Sequence, residues 1–183
     1  GSRVVTALVC VMLAASSALS LWAFSDRASG RAILAMDDTA FEAAFGAERA
    51  LSGSAARLAS IGTRALAMER PNFDLAARAL AASLEKEPRE GMAEARYAVA
   101  LIGEAGFITP EATAALSRSY TLMPYGTRRF AAWRLNLVEG LLPSLPPRIQ
   151  EAAIREARIY GPRARLERFI EAREQSQAVE IRA

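Results

Sequence analysis

The side chains that do most enzyme chemistry are almost absent from this sequence. It has no histidine and a single cysteine, Cys10. That excludes histidine-based triads, Cys–His nucleophiles, His-ligated haem, Cys/His zinc sites and any disulfide within one chain. The carboxylates add little. Glu85 and Glu87 are two apart and diverge on a helix. Glu90 and Glu94 share a face, but Arg89 and Arg96 adjoin them. No aromatic-rich cleft segment accompanies any glutamate, as glycan cleavage would require. The Asp37-Asp38 pair lacks the further oxygen ligands of a cation site. Gly103–Gly106 lacks the Lys-Ser/Thr of a phosphate loop. The expectation is a protein without catalysis, metal or cofactor.

What remains is binding chemistry. From Glu85 to Glu111 there are six acids against three bases, whereas from Ala112 to Val138 there are four arginines and no acid. Those arginines (Arg118, Arg128, Arg129, Arg134) are interleaved with Tyr120, Tyr125, Phe130 and Trp133. Arginine with aromatics is the composition of binding hot spots. Arg128, Arg129, Arg134, Tyr125 and Trp133 are the candidate partner contacts. A solvated face balancing the acidic turn beside it, or a site for an anionic glycan or lipid headgroup, uses the same residues. Overall the net charge is +3, with 20 acids against 23 bases, which is not the footprint of a nucleic-acid binder. Of those bases 22 are arginine, a pattern that a GC-rich bacterial genome produces through its codons and that guanidinium recognition also favours.

Val4 to Phe24 is 21 residues without a charge. As a helix it reaches about 31 Å, matching a hydrocarbon core of roughly 30 Å. Trp22 stands near one end, and Ala14 and Ala18 form a small-xxx-small face suited to packing on another membrane helix. The favoured reading is a retained transmembrane helix over 4–24. A cleaved signal peptide or a buried soluble helix are the alternatives. Arg3 ahead of the segment points to a bacterial inner-membrane protein whose remainder is periplasmic.

The rest must position any contact surface. With 40 alanines and no alternating β-branched or aromatic run outside the apolar segment, the composition predicts an all-α fold. Residues 25–40 read as a juxtamembrane linker or the end of the anchor helix, 41–162 as a helical domain and 163–183 as a charged helix with a tail. Helices are expected over 41–68 (in one or two pieces), 73–87, 91–104, from Pro110 to before Pro124, from Thr127 to about 142, 148–160 and 163–176. Thr109-Pro110-Glu111 is a strong start signal, Thr127 a second cap, and Gly106 a left-handed stop. Phe130, Trp133, Leu137 and Val138 are expected to point inward. Leu166, Phe169 and Ile170 form the sole large apolar face of the last helix.

An internal repeat appears at an offset of 36. Ala79-Leu80 and Ser83-Leu84 match Ala115-Leu116 and Ser119-Tyr120, and Pro88 matches Pro124. Tyr97 matches Trp133, Val99 matches Leu135, and Leu101 matches Leu137. A weaker echo runs from Ala153-Ile154 to Gly161-Pro162. Helix–proline turn–helix units at this period are the mark of an α-solenoid.

This pattern resembles the tetratricopeptide-repeat family over about 73–162, through the small residues Ala79 and Ala115 and the closing prolines Pro88 and Pro124. The family's Trp-Leu-Gly-Tyr pattern in the first helix is missing. A small helical bundle is the alternative architecture. The resemblance implies a protein-binding scaffold without catalysis of its own. The resulting expectation is a membrane-anchored helical-repeat scaffold for protein–protein interactions in an envelope complex, such as one for surface-polysaccharide synthesis or export. Its partners are other membrane or envelope proteins and the lipid bilayer, with no nucleic acid. One alternative is an accessory subunit of an integral membrane enzyme, bound through the Ala14/Ala18 face. Another is an envelope protein that binds or cleaves glycan.

Overall fold

The computed structural model describes residues 25–46 and 51–180, with side chains as far as Gln175. The apolar segment 4–24, including Ala14 and Ala18, lies outside the described residues. Among those described the chain is all-α, with nine α-helices packed together, one 3-10 turn and no strand. α1 covers residues 25–34. It is followed by α2 (Asp38–Phe45), α3 (Ala55–Leu66), α4 (Phe73–Lys86), α5 (Gly91–Ala105), α6 (Pro110–Leu122), α7 (Arg128–Glu139), a 3-10 turn at Leu142–Ser144, α8 (Pro147–Tyr160) and α9 (Arg163–Glu180). No described helix is long and apolar enough to cross a membrane.

Local chemistry sets most helix starts. Six helices in succession begin with a side chain that accepts a first-turn N–H: Asp37 from Ala40, Ser54 from Arg57, Asn72 from Leu75, Glu90 from Ala93, Thr109 from Ala112 and Thr127 from Phe130. Each satisfies a donor that the helix itself cannot. Gly106 ends α5 at φ 75°, the left-handed conformation expected of it. Pro147 opens α8, where its missing N–H costs nothing.

The 36-residue offset is physical. Ser83 Oγ on α4 donates to the Ala55 carbonyl at the start of α3, at 2.8 Å. Ser119 Oγ on α6 donates to the Gly91 carbonyl at the start of α5, at 2.7 Å. Both serines sit late in the second helix of a pair, so each pair is antiparallel. The residues that end α4 and α6 also share a conformation: Glu87 at φ −136°, ψ 77° and Met123 at φ −137°, ψ 68°. Pro88 and Pro124 follow them and exclude the helical region for the residue before. The pairs stack, with α4 against α5 and α6 against α8, and α9 packs on α8 at the end of the array.

Two apolar clusters result, one around Phe41, Ile61, Leu75 and Leu80, the other around Leu116, Leu135, Leu142 and Ile149. Tyr97 and Leu101 of α5 pack against both and join them. Alanine makes the close approaches: Ala76, Ala79, Ala93, Ala95, Ala98, Ala100, Ala112 and Ala115 are all fully buried. In α5 the alanines at 93, 95, 98 and 100 face the neighbouring helices, and Met92, Val99 and Ile102 are half-buried.

The structure decides three points that the sequence left open. Residues 25–34 form a helix rather than a linker: Ile33 is buried, and Ser54 Oγ donates to Asp26 Oδ1 at 2.6 Å. Arg64 completes this docking by donating to the Met36 carbonyl at 2.8 Å and to the Asp38 carboxylate. The region 41–68 is two helices, α2 and α3. The charged C-terminal helix is seated on the domain, with Phe169 buried in the second cluster and Leu166 and Ile170 packed beside it.

Two outcomes test this packing. A Cβ on Gly62 would lie 2.5 Å from Leu80 Cγ and 3.2 Å from the Ala76 carbonyl oxygen. Leu80 is fully buried and has no room to yield. Gly62→Ala should destabilise by about 1–3 kcal/mol in urea titrations, outweighing the roughly 1 kcal/mol helix-propensity gain. Gly140→Ala, with nothing within 4 Å, should not destabilise. The second outcome concerns Asp38, whose carboxyl Arg64 holds below its ordinary value of 3.8, helped by the Glu69 N–H. A lowered carboxyl stabilises the fold above its unfolded pKa and loses that effect as pH falls through the folded one. Asp38→Asn should therefore lower stability at neutral pH, and its deficit should shrink as pH drops below 3.8.

Candidate partner groove and its buried support

Three helices that begin at the same end of the molecule, α3, α5 and α7, enclose a cleft of about 520 Å³. α3 contributes Thr63, Leu66 and the following Ala67, α5 contributes Met92 and Arg96, and α7 contributes Arg129, Phe130 and Trp133, with Thr127 at its cap. The lining holds two arginines and no acid. Arg96 is half-buried, and burial pulls its pKa below the ordinary value while Glu90 opposes that pull. Glu90 is itself engaged, accepting from the N–H groups of Met92 and Ala93 at the start of α5. A desolvated guanidinium beside apolar walls gains from any carboxylate that reaches it. Trp133, 37% exposed, stacks on buried Phe130 with ring centroids 5.7 Å apart. The cleft thus offers a flat aromatic face, a thioether and two cations, which suits an extended peptide segment bearing carboxylates.

The sequence-derived candidates divide. Arg129 and Trp133 line the cleft. Trp133 was expected to point inward, and its exposure is a correction. Arg128 and Tyr125 are exposed at the α6–α7 turn, outside the cleft lining. Arg134 is corrected outright: it is 0% exposed and no surface contact at all. The reason is helical spacing. Arg129 and Trp133 are i,i+4 and share a face, whereas the next residue turns about 100° away, toward α6 and α8.

Buried there, Arg134 has all three guanidinium nitrogens engaged. Its Nε and Nη2 donate to the Glu156 carboxylate at 3.0 and 2.5 Å, Nη1 donates to Ser119 Oγ at 3.1 Å, and Nη2 also donates to the Met123 carbonyl at 2.9 Å. The guanidinium lies 3.9 Å from the Tyr120 ring centroid and 5.0 Å from that of Phe130. Burial raises the Glu156 carboxyl above its ordinary value, with Arg134 opposing, and burial also raises the Tyr120 phenol. This cluster fixes Phe130, and through it the Trp133 face of the cleft.

A second ionic contact braces the α5–α6 pair. Arg118 grips the Glu94 carboxylate with two bonds of 2.6 and 2.9 Å, which raises the Arg118 pKa. Tyr97 Oη donates to Glu111 at 2.6 Å, and burial with this bond lifts the phenol to about 12. Neither contact belongs to the cleft.

Sequence reasoning missed Arg96, Met92, Thr63 and Leu66 as lining residues. The repeat contained a signal for them, since first helices at a fixed offset must share a face. No residue type marks that face. No protein-family model matches the chain, and neither do the curated proteins or solved structures compared with it.

The buried pair yields a test. Removing one partner leaves an uncompensated buried charge, so Arg134→Leu should cost about 3–5 kcal/mol in urea unfolding. The double variant Arg134→Leu/Glu156→Met removes both charges and should recover most of that loss. A double variant no more stable than the single would remove the pair from its structural role.

Proposed function

We propose that the chain is a membrane-anchored, non-catalytic helical scaffold of a bacterial envelope complex, and that it holds a carboxylate-bearing segment of a partner protein in the α3–α5–α7 cleft. The observation that carries this reading is the cleft itself: two arginines, an exposed tryptophan and no acid on a surface built by repeated helix pairs. The anchor is residues 4–24, supported by 21 uncharged residues running directly into α1. The placement of the helical domain in the periplasm is supported by Arg3. The antiparallel pairs with serine and proline at an offset of 36 support kinship with tetratricopeptide-like hairpins. The lack of histidine and of a nucleophile–base set supports a role without catalysis.

The test is co-purification of the tagged full-length chain from mild-detergent membranes. Arg96→Glu/Arg129→Glu should weaken capture of the stoichiometric partner about tenfold or more. Ala14→Leu/Ala18→Leu should leave capture unchanged. The reverse pattern would replace the scaffold with a subunit that binds through its membrane helix. Release of the chain by alkaline carbonate would overturn the anchor.

A further inference from the structure

One end of the helical domain gathers features that neither the cleft nor the core uses. The Asp26–Ser54 bond sets Asp26 of α1 against the first turn of α3. The Ser83–Ala55 and Ser119–Gly91 bonds then place the last turns of α4 and α6 at that same end, and Arg134–Glu156 carries α8 with them. The chain therefore enters the domain at the end that presents the α4–α5, α6–α7 and α8–α9 turns. Three of the six large apolar side chains left exposed among the described residues lie there: Leu122 at 38%, Tyr125 at 63% and Ile159 at 55%. Exposed Arg89, Arg128 and Arg158 stand beside them on the same turns. Two exposed acids, Glu85 and Glu87, sit at the α4 margin of this end.

We infer that this end is a docking face for an anionic lipid surface. The inference rests on the anchor proposed above. A segment leaving the bilayer at residue 24 brings α1, and with it this end, to the headgroup level. Arginines there meet the phosphate oxygens of anionic headgroups, and the aromatic and aliphatic side chains enter the interface. The domain then lies on the membrane by one end instead of swinging free on its anchor.

The test is hydrogen–deuterium exchange of the full-length chain in two kinds of vesicle, phosphatidylcholine alone and phosphatidylcholine with phosphatidylglycerol. The expected result is slowed exchange over 122–128 and 157–163 only in the second, with 104–109 at the opposite end unchanged. Arg89→Glu/Arg128→Glu/Arg158→Glu, all exposed positions, should lose that protection while the chain still floats with vesicles on a density gradient. Equal protection in both vesicles, or protection that rises with protein density and marks a second copy as the occupant, would overturn the docking face. A chain that floats without protection overturns it and spares the anchor. A chain that does not float overturns both.

Discussion

The fold turns on a charge that water does not reach. A guanidinium loses several kcal/mol of hydration on burial and is tolerated only where its donors are met. Arg134 meets that condition through Glu156, Ser119 and the Met123 carbonyl, with the Tyr120 ring beneath it. These partners come from α6, its C-terminal cap and α8, and Ser119 carries the network on to α5 through the Gly91 carbonyl. Planar guanidinium geometry admits few arrangements that satisfy all of them. The cluster therefore does what an aliphatic contact of equal area would not: it selects one register for the third helix pair against the second. At the same repeat position the earlier pairs carry Gly62 and Ala98. Small residues let those helices close directly, and the third pair fills the equivalent space with a paired charge.

Alanine dominates the contacts of the first two pairs, where each ionic contact, Arg64–Asp38 and Arg118–Glu94, keeps one partner exposed. A fully buried alanine contributes little apolar area but brings helix axes close, and close axes allow short hydroxyl-to-carbonyl bonds such as those of Ser83 and Ser119. Each bond ties the end of one helix to the start of its mate. The pairs thus gain fixed length and orientation with few large side chains, consistent with seven phenylalanines and two tryptophans in 183 residues. Larger groups sit where the pairs meet or where the array ends: Tyr97 and Leu101 between the clusters, Phe41 at one terminus and Phe169 at the other.

Features encoded within a few residues were legible in the sequence. Thr109, Thr127 and Gly106 could be read because a cap or a left-handed stop depends on its own side chain. The offset of 36 could be read because proline and the small residues recur at fixed positions. What escaped depends on distant partners. Residues 25–34 contain Gly30 and five polar side chains in a mixed stretch, and their helix is held by Ser54 and the Ile33 contact, not by propensity. Arg134 reads as solvated because nothing local reveals Glu156, 22 residues on. The cleft draws Thr63, Arg96 and Arg129 from three helices, so its composition exists only after the pairs have stacked. Trp133 was placed inward by its apolarity, whereas the buried face of α7 was already taken by Phe130, Arg134 and Val138.

The cleft and the entry end also constrain each other. Met92, Thr127 and Arg129 lie at the first turns of α5 and α7, with Arg96 one turn on, at the end where Asp26 meets Ser54, whereas Leu66 and Ala67 lie where α3 stops, at the opposite end. A segment in the cleft therefore crosses the domain obliquely, with both arginines nearer the entry end and Leu66 and Ala67 farther out. With the anchor in the bilayer as proposed, the two arginines stand close to the headgroup region, and a partner that supplies carboxylates must do so from a short distance above it. Holding the domain by one end removes much of the orientational freedom that association would otherwise have to suppress. It also raises the effective concentration for a partner tethered in the same membrane. Modest contacts, one tryptophan and two guanidinium groups, would then suffice for the capture proposed above.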